Sequence, residues 1–452
     1  MGARSSRSRH DDTAGRHVLI IVQNLPIQVD RRVQLEFHEL LARGYRVSLI
    51  CPKGPGDPAR EDYDGARILK YAPAPPASGL AGYVWEFAYS WLRTALLSLA
   101  AWREGGRFHV IQACNPPDTY WLLALLWRIR GVRFVFDHHD LNPELFLSRF
   151  GEPSGRLGRL QLNGLLWLER MTFRSAHRVI STNDSYKAVA VRRGHRDPEE
   201  VAVVRSGPDT VRMRPIHPTS PVSDGVTMLA YLGIMGPQDG VDQVLELMAE
   251  LVQRRGRRDV RATLMGFGDC LDELKVQSTR MGLDDVVTFT GRVDKKEIAE
   301  QLSRAHIGIC PDLKTPLNDL STMNKSLEYM AYALPAVSFD LTETKVTGGE
   351  AIRYVPSGDI GAMADEVEAL IADPGLRARL GRMGRERVVE LFDWAGQART
   401  YGDVFDQVTG KASGQAVGES AGAGEVDEWG RRFVPLDDDS EFDRFLRSRS
   451  AP

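Results

Sequence analysis

Cysteine is scarce: the 452 residues hold four, Cys51, Cys114, Cys270 and Cys310, far apart in the chain. None of their spacings suits a zinc site, and three lie in or beside apolar strand-like runs, so reduced core thiols in a cytosolic protein are expected. Charge of one sign is lacking too. A formal net charge of -3 and a pI near 6.4 offer polyanions no general attraction. Nucleic acid is thereby set aside as a main partner, and any basic site must be local. Long apolar runs are absent; the apolar stretch 121–127 is far too short to span a bilayer. The N-terminal MGARSSRSRHDDTAGRH has no apolar segment either and reads as a disordered leader over 1–16, not a signal peptide or membrane anchor.

What is present suits sizeable cores. Hydrophobic residues make up 42% of a chain long enough for two to three domains. The run HVLIIV at 17–22 has the continuous apolar character of a strand buried on both faces. A helix at 31–43, Gly44 and a strand at 45–51 follow. The same alternation returns with a strand at 110–113, a helix at 119–130 and strands at 133–137 and 178–181. A proline-rich stretch at 207–225 then reads as an interdomain linker. After it a second alternating set runs from a strand at 227–232 to a strand at 307–310, with a helix near 361–372 and a long helical run from Leu376 to about Val408. The fold class expected is α/β, with two Rossmann-like doubly wound parallel-sheet domains over 17–206 and 226–385. A helix at 386–409 should cross back to the first domain, followed over 410–452 by a flexible linker and an acidic tail whose Trp429, Phe433, Phe442 and Phe445 suggest a short docking segment. Between strands, 83–102 places Trp85, Tyr89, Leu92, Leu96 and Leu99 on one helical face. Core packing is the expectation there, and a face lying on a membrane or a lipid-linked substrate is the alternative.

The stretch STMNKSLEYMAYALPAVSFDLTE at 321–343 has the layout of a site. Ser, Thr and Asn capping candidates open a short apolar helix that Leu-Pro ends before a strand. The amides near Thr322, Met323 and Asn324, at the positive end of that helix, suit an anionic group such as a phosphate, and Lys325 adds a full charge. Glu328, one turn on, could accept two hydrogen bonds from a vicinal diol such as a ribose presents. A capped surface helix with a solvated Lys and Glu is the plain alternative.

The segments YLGIMGPQDGVDQVL, LMGFGD, VTFTGRV, IGICPD and KSLEYMAYALPAVSFD, in that order, resemble the C-terminal domain of retaining nucleotide-sugar glycosyltransferases of family 4. PIQVDRRVQLEFHELLARGYRVSLICP, VFDHHDLNPE and VAVVRSGPD resemble the matching N-terminal domain. The resemblance covers residues 17–408. It implies the GT-B arrangement, in which two Rossmann-like domains face each other across a cleft, and transfer of a sugar from a UDP- or GDP-linked donor to an acceptor hydroxyl with retention of configuration. On this resemblance Glu328 binds the ribose, Gly233 and Gly236 admit the phosphates, and Gly291, Arg292 and Val293 border the base. Gly266, Asp319 and Glu343 complete the nucleotide-sugar set. His139 faces the donor sugar and, with Lys325 and Glu328, forms the catalytic group. Asn24, Asp30, Arg31 and Asp140 lie on the acceptor side. The implied acceptor is a saccharide or lipid-linked saccharide in cell-surface or extracellular glycan synthesis, at the cytoplasmic face of a membrane or in the cytoplasm.

This sequence departs from the family pattern in three places. An acid common eight positions before Glu328 is replaced by Leu320, with Asp319 beside it. The Arg and Lys that usually follow the first glycine of the second domain are replaced by Ile234 and Asp239, and the N-terminal loop lacks a glycine pair. Lys325, with Arg292 or Arg205 in reserve, is expected to supply the missing charge on the departing diphosphate. No cofactor and no metal are expected, since no aspartate pair or Cys/His cluster has ligand spacing. A sugar-nucleotide epimerase or hydrolase on the same fold, or a catalytically weak binding subunit, are the competing readings.

Overall fold

The structure, a computed structural model, describes residues 15–75, 79–220, 225–411 and 424–449. The chain divides into two units. The first comprises residues up to Pro143, Ser154–Val204 and Ala398–Glu419; the second comprises Glu144–Pro153, Arg205–Gln397 and the chain from Ser420 on.

In chain order the first unit holds β1 (His17–Ile21), α1 (Arg31–Ala42), β2 (Arg46–Pro52), β3 (Arg60–Tyr63), β4 (Ala66–Tyr71), α2 (Gly79–Gly105) and β5 (Val110–Cys114). There follow α3 (Trp121–Arg128), β6 (Arg133–His138), α4 (Asn142–Phe150), which passes into the second unit, α5 (Arg156–Ser175), β7 (Arg178–Ser181), α6 (Asp184–Arg192) and β8 (Val201–Val203). The sheet order is β3-β4-β2-β1-β5-β6-β7-β8, and every pairing is parallel except β3 with β4. The strand order therefore reverses between β1 and β5. The continuous apolar character of β1 has its cause here, since all five of its residues are buried between helical layers.

The second unit holds β9 (Thr227–Ile234), α7 (Val241–Ala249), β10 (Val260–Phe267), α8 (Leu271–Arg280), β11 (Val287–Gly291), α9 (Lys295–Arg304), β12 (Ile307–Cys310) and α10 (Asn324–Ala331). It continues with β13 (Ala336–Phe339), α11 (Thr342–Gly348), β14 (Ile352–Val355), α12 (Ile360–Ala372) and α13 (Pro374–Leu391). α14 (Trp394–Thr409) returns the chain to the first unit, and α15 (Asp439–Ser448) belongs to the second. Its six-stranded sheet is parallel, in the order β11-β10-β9-β12-β13-β14, and reverses between β9 and β12.

At that reversal only Ile307 with Leu229 and Gly308 with Ala230 are paired, so the strands part early. The Tyr329 hydroxyl of α10 fills the opening. It accepts from the Leu232 amide at 3.0 Å and lies 3.3 Å from the Ala230 carbonyl and 3.2 Å from the Ile309 carbonyl. Gly308 makes room for the ring, because a Cβ there would stand 2.5 Å from Tyr329 Cδ2. One aromatic side chain thus fixes α10 to the sheet.

Several expectations are corrected. The leader falls outside the described residues up to residue 14. Of the expected linker at 207–225, the stretch 207–220 is packed on the second unit: Ile216 is fully buried and bridges Phe433, and Arg385 donates to the Thr210 and Met213 carbonyls. The aromatic part of the tail, read as a docking segment, packs on the second unit over 424–449, with Phe442, Phe445 and Leu446 of α15 buried and the Arg449 guanidinium donating to the Ser303 and Tyr332 carbonyls. The long C-terminal helix is broken at Phe392 and Asp393, where Asp393 accepts from Thr210. The face of α2 expected in the core is exposed at Trp85, Leu92, Leu96 and Leu99. Ser90, Thr94, Ser98 and Ala101 point inward instead, since their small side chains let the helix approach closely. Polar partners satisfy them: Thr94 Oγ1 is 3.2 Å from the Tyr120 hydroxyl, and Ser98 Oγ accepts from Trp127 Nε1 at 3.0 Å.

Tyr329→Phe removes a hydroxyl that serves three backbone groups, so thermal or urea unfolding of the second unit is expected to show a loss of about 1–3 kcal/mol. An unchanged midpoint would mean those groups find other partners.

Candidate active site

Ligands of doubly wound sheets sit beyond the carboxyl ends of the strands, where the strand order reverses. In the second unit that position is lined by Gly233 near the end of β9, Asp312 after β12 and Lys325 in the first turn of α10. Lys325 is buried, and its Nζ donates to Asp312 Oδ1 at 2.5 Å and lies 5.4 Å from the centre of the Tyr231 ring. Burial alone would lower the lysine's affinity for its proton, but the Asp312 and Asp239 carboxylates raise it well above the usual range. Asp312 Oδ2 is buried with no hydrogen-bond partner among the described residues. A Cβ on Gly233 would meet Lys325 Cε at 3.3 Å and the Tyr231 hydroxyl at 2.9 Å, so glycine there makes space for the lysine itself. Asp239 Oδ2 accepts from the Gly236 amide at 2.9 Å, and burial pushes its carboxyl up to about 6 against the opposing pull of Lys325.

The N-cap position of α10 falls on Met323, whose side chain makes no capping bond. Thr322 and Glu328 are half-buried in this stretch, and Asn324 is exposed. Asp319 is not turned to this point. It caps α11, accepting from the Thr342 amide at 2.7 Å, and pairs with Lys314 at 3.4 Å. Glu343 is buried, with Oε2 3.5 Å from Arg205 Nη1, so the reserve cation Arg205 faces a carboxylate, as Lys325 does. Arg292 is exposed and lies over the Phe267 ring at 5.1 Å. Gly291 ends β11 with φ +70°, a backbone state that favours glycine, and Gly266 lies where a Cβ would stand 1.9 Å from the Gly233 carbonyl oxygen. Val293 is half-buried beside Arg292. The structure thus gathers Gly233, Gly236, Gly266 and Lys325 around the β9 end and leaves Asp319 and Glu343 in other bonds.

The first unit has a polar cluster at its own reversal point. Arg32 of α1 donates to Asp137 Oδ1 at 3.0 Å and to the Val204 carbonyl at 2.8 Å, and its Nε is 2.8 Å from Glu36 Oε1. His139 Nε2 lies 2.7 Å from Asp137 Oδ2. Burial would raise the Asp137 carboxyl, but Arg32 and His139 together hold it well below its usual range. Arg32 Nε also donates to His139 Nε2 at 2.9 Å, so both bonds that orient the ring run through that nitrogen. Burial and the neighbouring Asp137 raise Glu36 well above its usual range, against the opposing pull of Arg32. Gln112 donates to Glu36 Oε2 at 2.7 Å and to Asp137 Oδ2 at 2.9 Å, and accepts from the Tyr401 hydroxyl of α14 at 2.5 Å. Asn115 clamps the loop, its Oδ1 accepting from the amides of His139 at 2.6 Å and Asp140 at 3.1 Å. Glu36, Cys114, Asp137 and His139 each bring a ligand-type atom within 4.8 Å of the others. The Arg32 cation already neutralises that cluster. His138, by contrast, is a core residue among Phe136, Phe173 and Tyr186, its proton affinity lowered to about 3 by burial. Of the expected acceptor-side residues, Asp30 caps α1 by accepting from the Val33 amide at 3.1 Å, Asn24 is exposed and Arg31 is half-buried.

Sequence reading missed Asp312, Tyr329, and the Arg32, Glu36, Asp137 and Gln112 network that orients His139. Asp312 and Asp137 do stand in the quoted IGICPD and FDHHD runs. A carboxylate beyond a buried strand, in a chain short of other cations at the site, was the available signal.

Two parallel α/β sheets with polar sites at their reversal points define a Rossmann-like enzyme fold. The family of glycosyl transferases group 1 matches residues 227–373, and the glycosyl transferase 4-like domain matches residues 29–207. Together these span most of the chain, which belongs to this glycosyltransferase family and has the GT-B fold. It is 27% identical over 315 residues to an alpha-maltose-1-phosphate synthase of Mycobacterium tuberculosis, covering 64% of this chain and 77% of the relative. It is 24% identical over 367 residues to D-inositol 3-phosphate glycosyltransferase 2 of Catenulispora acidiphila, covering 75% and 80%. Among solved structures, sucrose-phosphate synthase from Thermosynechococcus elongatus superposes with TM-score 0.69 at 19% identity over 88% of this chain and 100% of the other. Anabaena HepE in complex with UDP-glucose superposes with TM-score 0.61 at 15% identity over 86% and 99%.

Because Asp239 takes up its proton at about 6, the cluster gains a negative charge as pH rises through that value. Affinity for a nucleoside diphosphate is expected to fall across that range in calorimetric titration, beyond the slope set by the ligand's own titration. Asp239→Asn should remove the excess slope. The folded protein also holds that proton more tightly than an ordinary aspartate does, so stability should fall between about pH 4 and 6 and the variant should flatten that fall as well.

Proposed function

We propose that the protein transfers a sugar from a UDP- or GDP-linked donor to a hydroxyl of a saccharide or lipid-linked saccharide, with retention of configuration, in the synthesis of a cell-surface or extracellular glycan. The observation that carries this reading is Lys325, a buried cation in the first turn of α10, at the β9/β12 reversal point. The diphosphate lies against Lys325 and the α10 amides, and Glu328 accepts from the ribose hydroxyls. The anomeric carbon–phosphate oxygen bond breaks, the acceptor oxygen bonds to that carbon on the same face, and the acceptor proton passes to the departing phosphate oxygen. Charge on the leaving group is met by Lys325, so no further cofactor is proposed. His139, held by Asp137, presents its second ring nitrogen to the donor sugar. No helix among the described residues is long and apolar enough to cross a membrane, and a lipid-linked acceptor is met at the membrane surface.

Incubation with a panel of UDP- and GDP-sugars tests this. Slow donor hydrolysis that a membrane extract stimulates, with sugar appearing in the extract, is expected; free epimer, or binding without turnover, would overturn it. Glu328→Ala should weaken binding of the accepted nucleotide by about 1.5–3 kcal/mol, as for loss of a charged acceptor. Unchanged affinity would return Glu328 to the helix surface.

A further inference from the structure

The outer faces of α2, α3 and α5 in the first unit are apolar where a water-facing surface should be polar. On α2 the helical spacing puts Trp85, Leu92, Leu96 and Leu99 on one stripe, all exposed, opposite the inward Ser90, Thr94 and Ser98. Leu122, Leu126 and Ile129 form the outward stripe of α3 and its C-terminal cap, with Ile129 83% exposed. On α5 the stripe is Leu157, Leu160 and Trp167, the last 53% exposed. These are neighbouring helices. Trp102 of α2 stacks on Trp127 of α3 at 4.9 Å between ring centres, and Trp121 of α3 meets Trp167 of α5 edge to face at 5.8 Å. The stripes therefore form a continuous face, of a kind that a monomeric protein rarely leaves to water.

Its charge identifies what covers it. The arginines Arg103 on α2, Arg130 after α3 and Arg156, Arg159, Arg170 and Arg174 on α5 are all exposed. On α5, spacing places Arg156, Arg170 and Arg174 along one flank of the Leu157–Leu160–Trp167 stripe, and its only acid, Glu169, is buried and paired with Arg193 at 2.7 Å. A chain of net charge -3 has concentrated positive charge beside its exposed tryptophans and leucines. A second copy of the face would repel itself through these arginines.

We propose that this three-helix face seats the protein on an anionic phospholipid surface, with Trp85, Leu92, Leu96, Leu126 and Trp167 entering the headgroup and acyl boundary and the arginines meeting lipid phosphates. The inference deepens the membrane-side reading above and rests on it for its setting, while its test is independent of transfer. The full chain is spun with vesicles of phosphatidylglycerol and phosphatidylcholine in equal parts, and with phosphatidylcholine alone. Salt-sensitive co-sedimentation with the first and little with the second is expected. Leu96→Glu with Leu126→Glu, both at exposed positions, should lower partitioning about tenfold or more, and each of Arg156→Glu, Arg170→Glu and Arg174→Glu about fivefold. UDP or GDP affinity of these variants should equal that of the parent, which separates failure of docking from failure of the nucleotide site. Equal partitioning to neutral vesicles, no partitioning at all, or a concentration-dependent dimer abolished by Leu96→Glu would overturn the proposal.

Discussion

The gap between β9 and β12 is the constraint on which the second unit depends. A parallel sheet wound in both directions must part its two central strands, and the backbone groups left there need partners. Tyr329 supplies them, and its ring needs Gly308 beneath it. Having fixed α10 by its second turn, the fold has no freedom in where the first turn lies: Lys325 is carried to the strand ends, over Tyr231 and against Asp312. A buried ammonium is costly unless paired, and the pairing keeps it charged at neutral pH. A cation held dry at the end of a sheet is suited to act on an anion at short range.

The first unit meets the same topological demand with a different polar network. There the order reverses between β1 and β5, which stay paired as far as Ile21 and Ala113, and Gln112, Asp137, Arg32 and Glu36 gather two carboxyls of opposed proton affinity around a guanidinium. Its consequence for chemistry is the fixed ring of His139. Tyr401 ties this network to α14, so the helix that returns late in the chain is bonded to the same group of side chains.

Much of this was legible in the sequence, for physical reasons that differ by element. β1 and β9 read directly because strands buried on both faces must be apolar throughout. Lys325 and the glycines of the second unit were visible through the order of motifs. Harder to see was α2, whose apolar stripe is the outer one: periodicity gives a stripe but not the side it faces, and the inward Ser90, Thr94 and Ser98 could be recognised only through Tyr120 and Trp127. The adjacent histidines show the same limit. Strand alternation sends His138 into the core, and the chain beyond β6 carries His139 to Asp137 and Arg32, which comes from α1, over a hundred residues earlier. Asp312 went unassigned because its meaning comes only from Lys325 beside it. The aromatics of the acidic tail mark it as a docking segment in the sequence, but only the fold shows that Phe442, Phe445 and Leu446 pack around Ala333 and Val434.

Turnover with saturating donor, measured on Lys325→Met combined with Asp312→Asn, bears most directly on the role given to Lys325. The double substitution removes the cation without stranding a buried carboxylate. If Lys325 carries the charge of the departing diphosphate mainly in the transition state, kcat falls about a hundredfold or more while nucleoside affinity changes little. A kcat within a few-fold of the parent would contradict that role and pass it to Arg292 or Arg205.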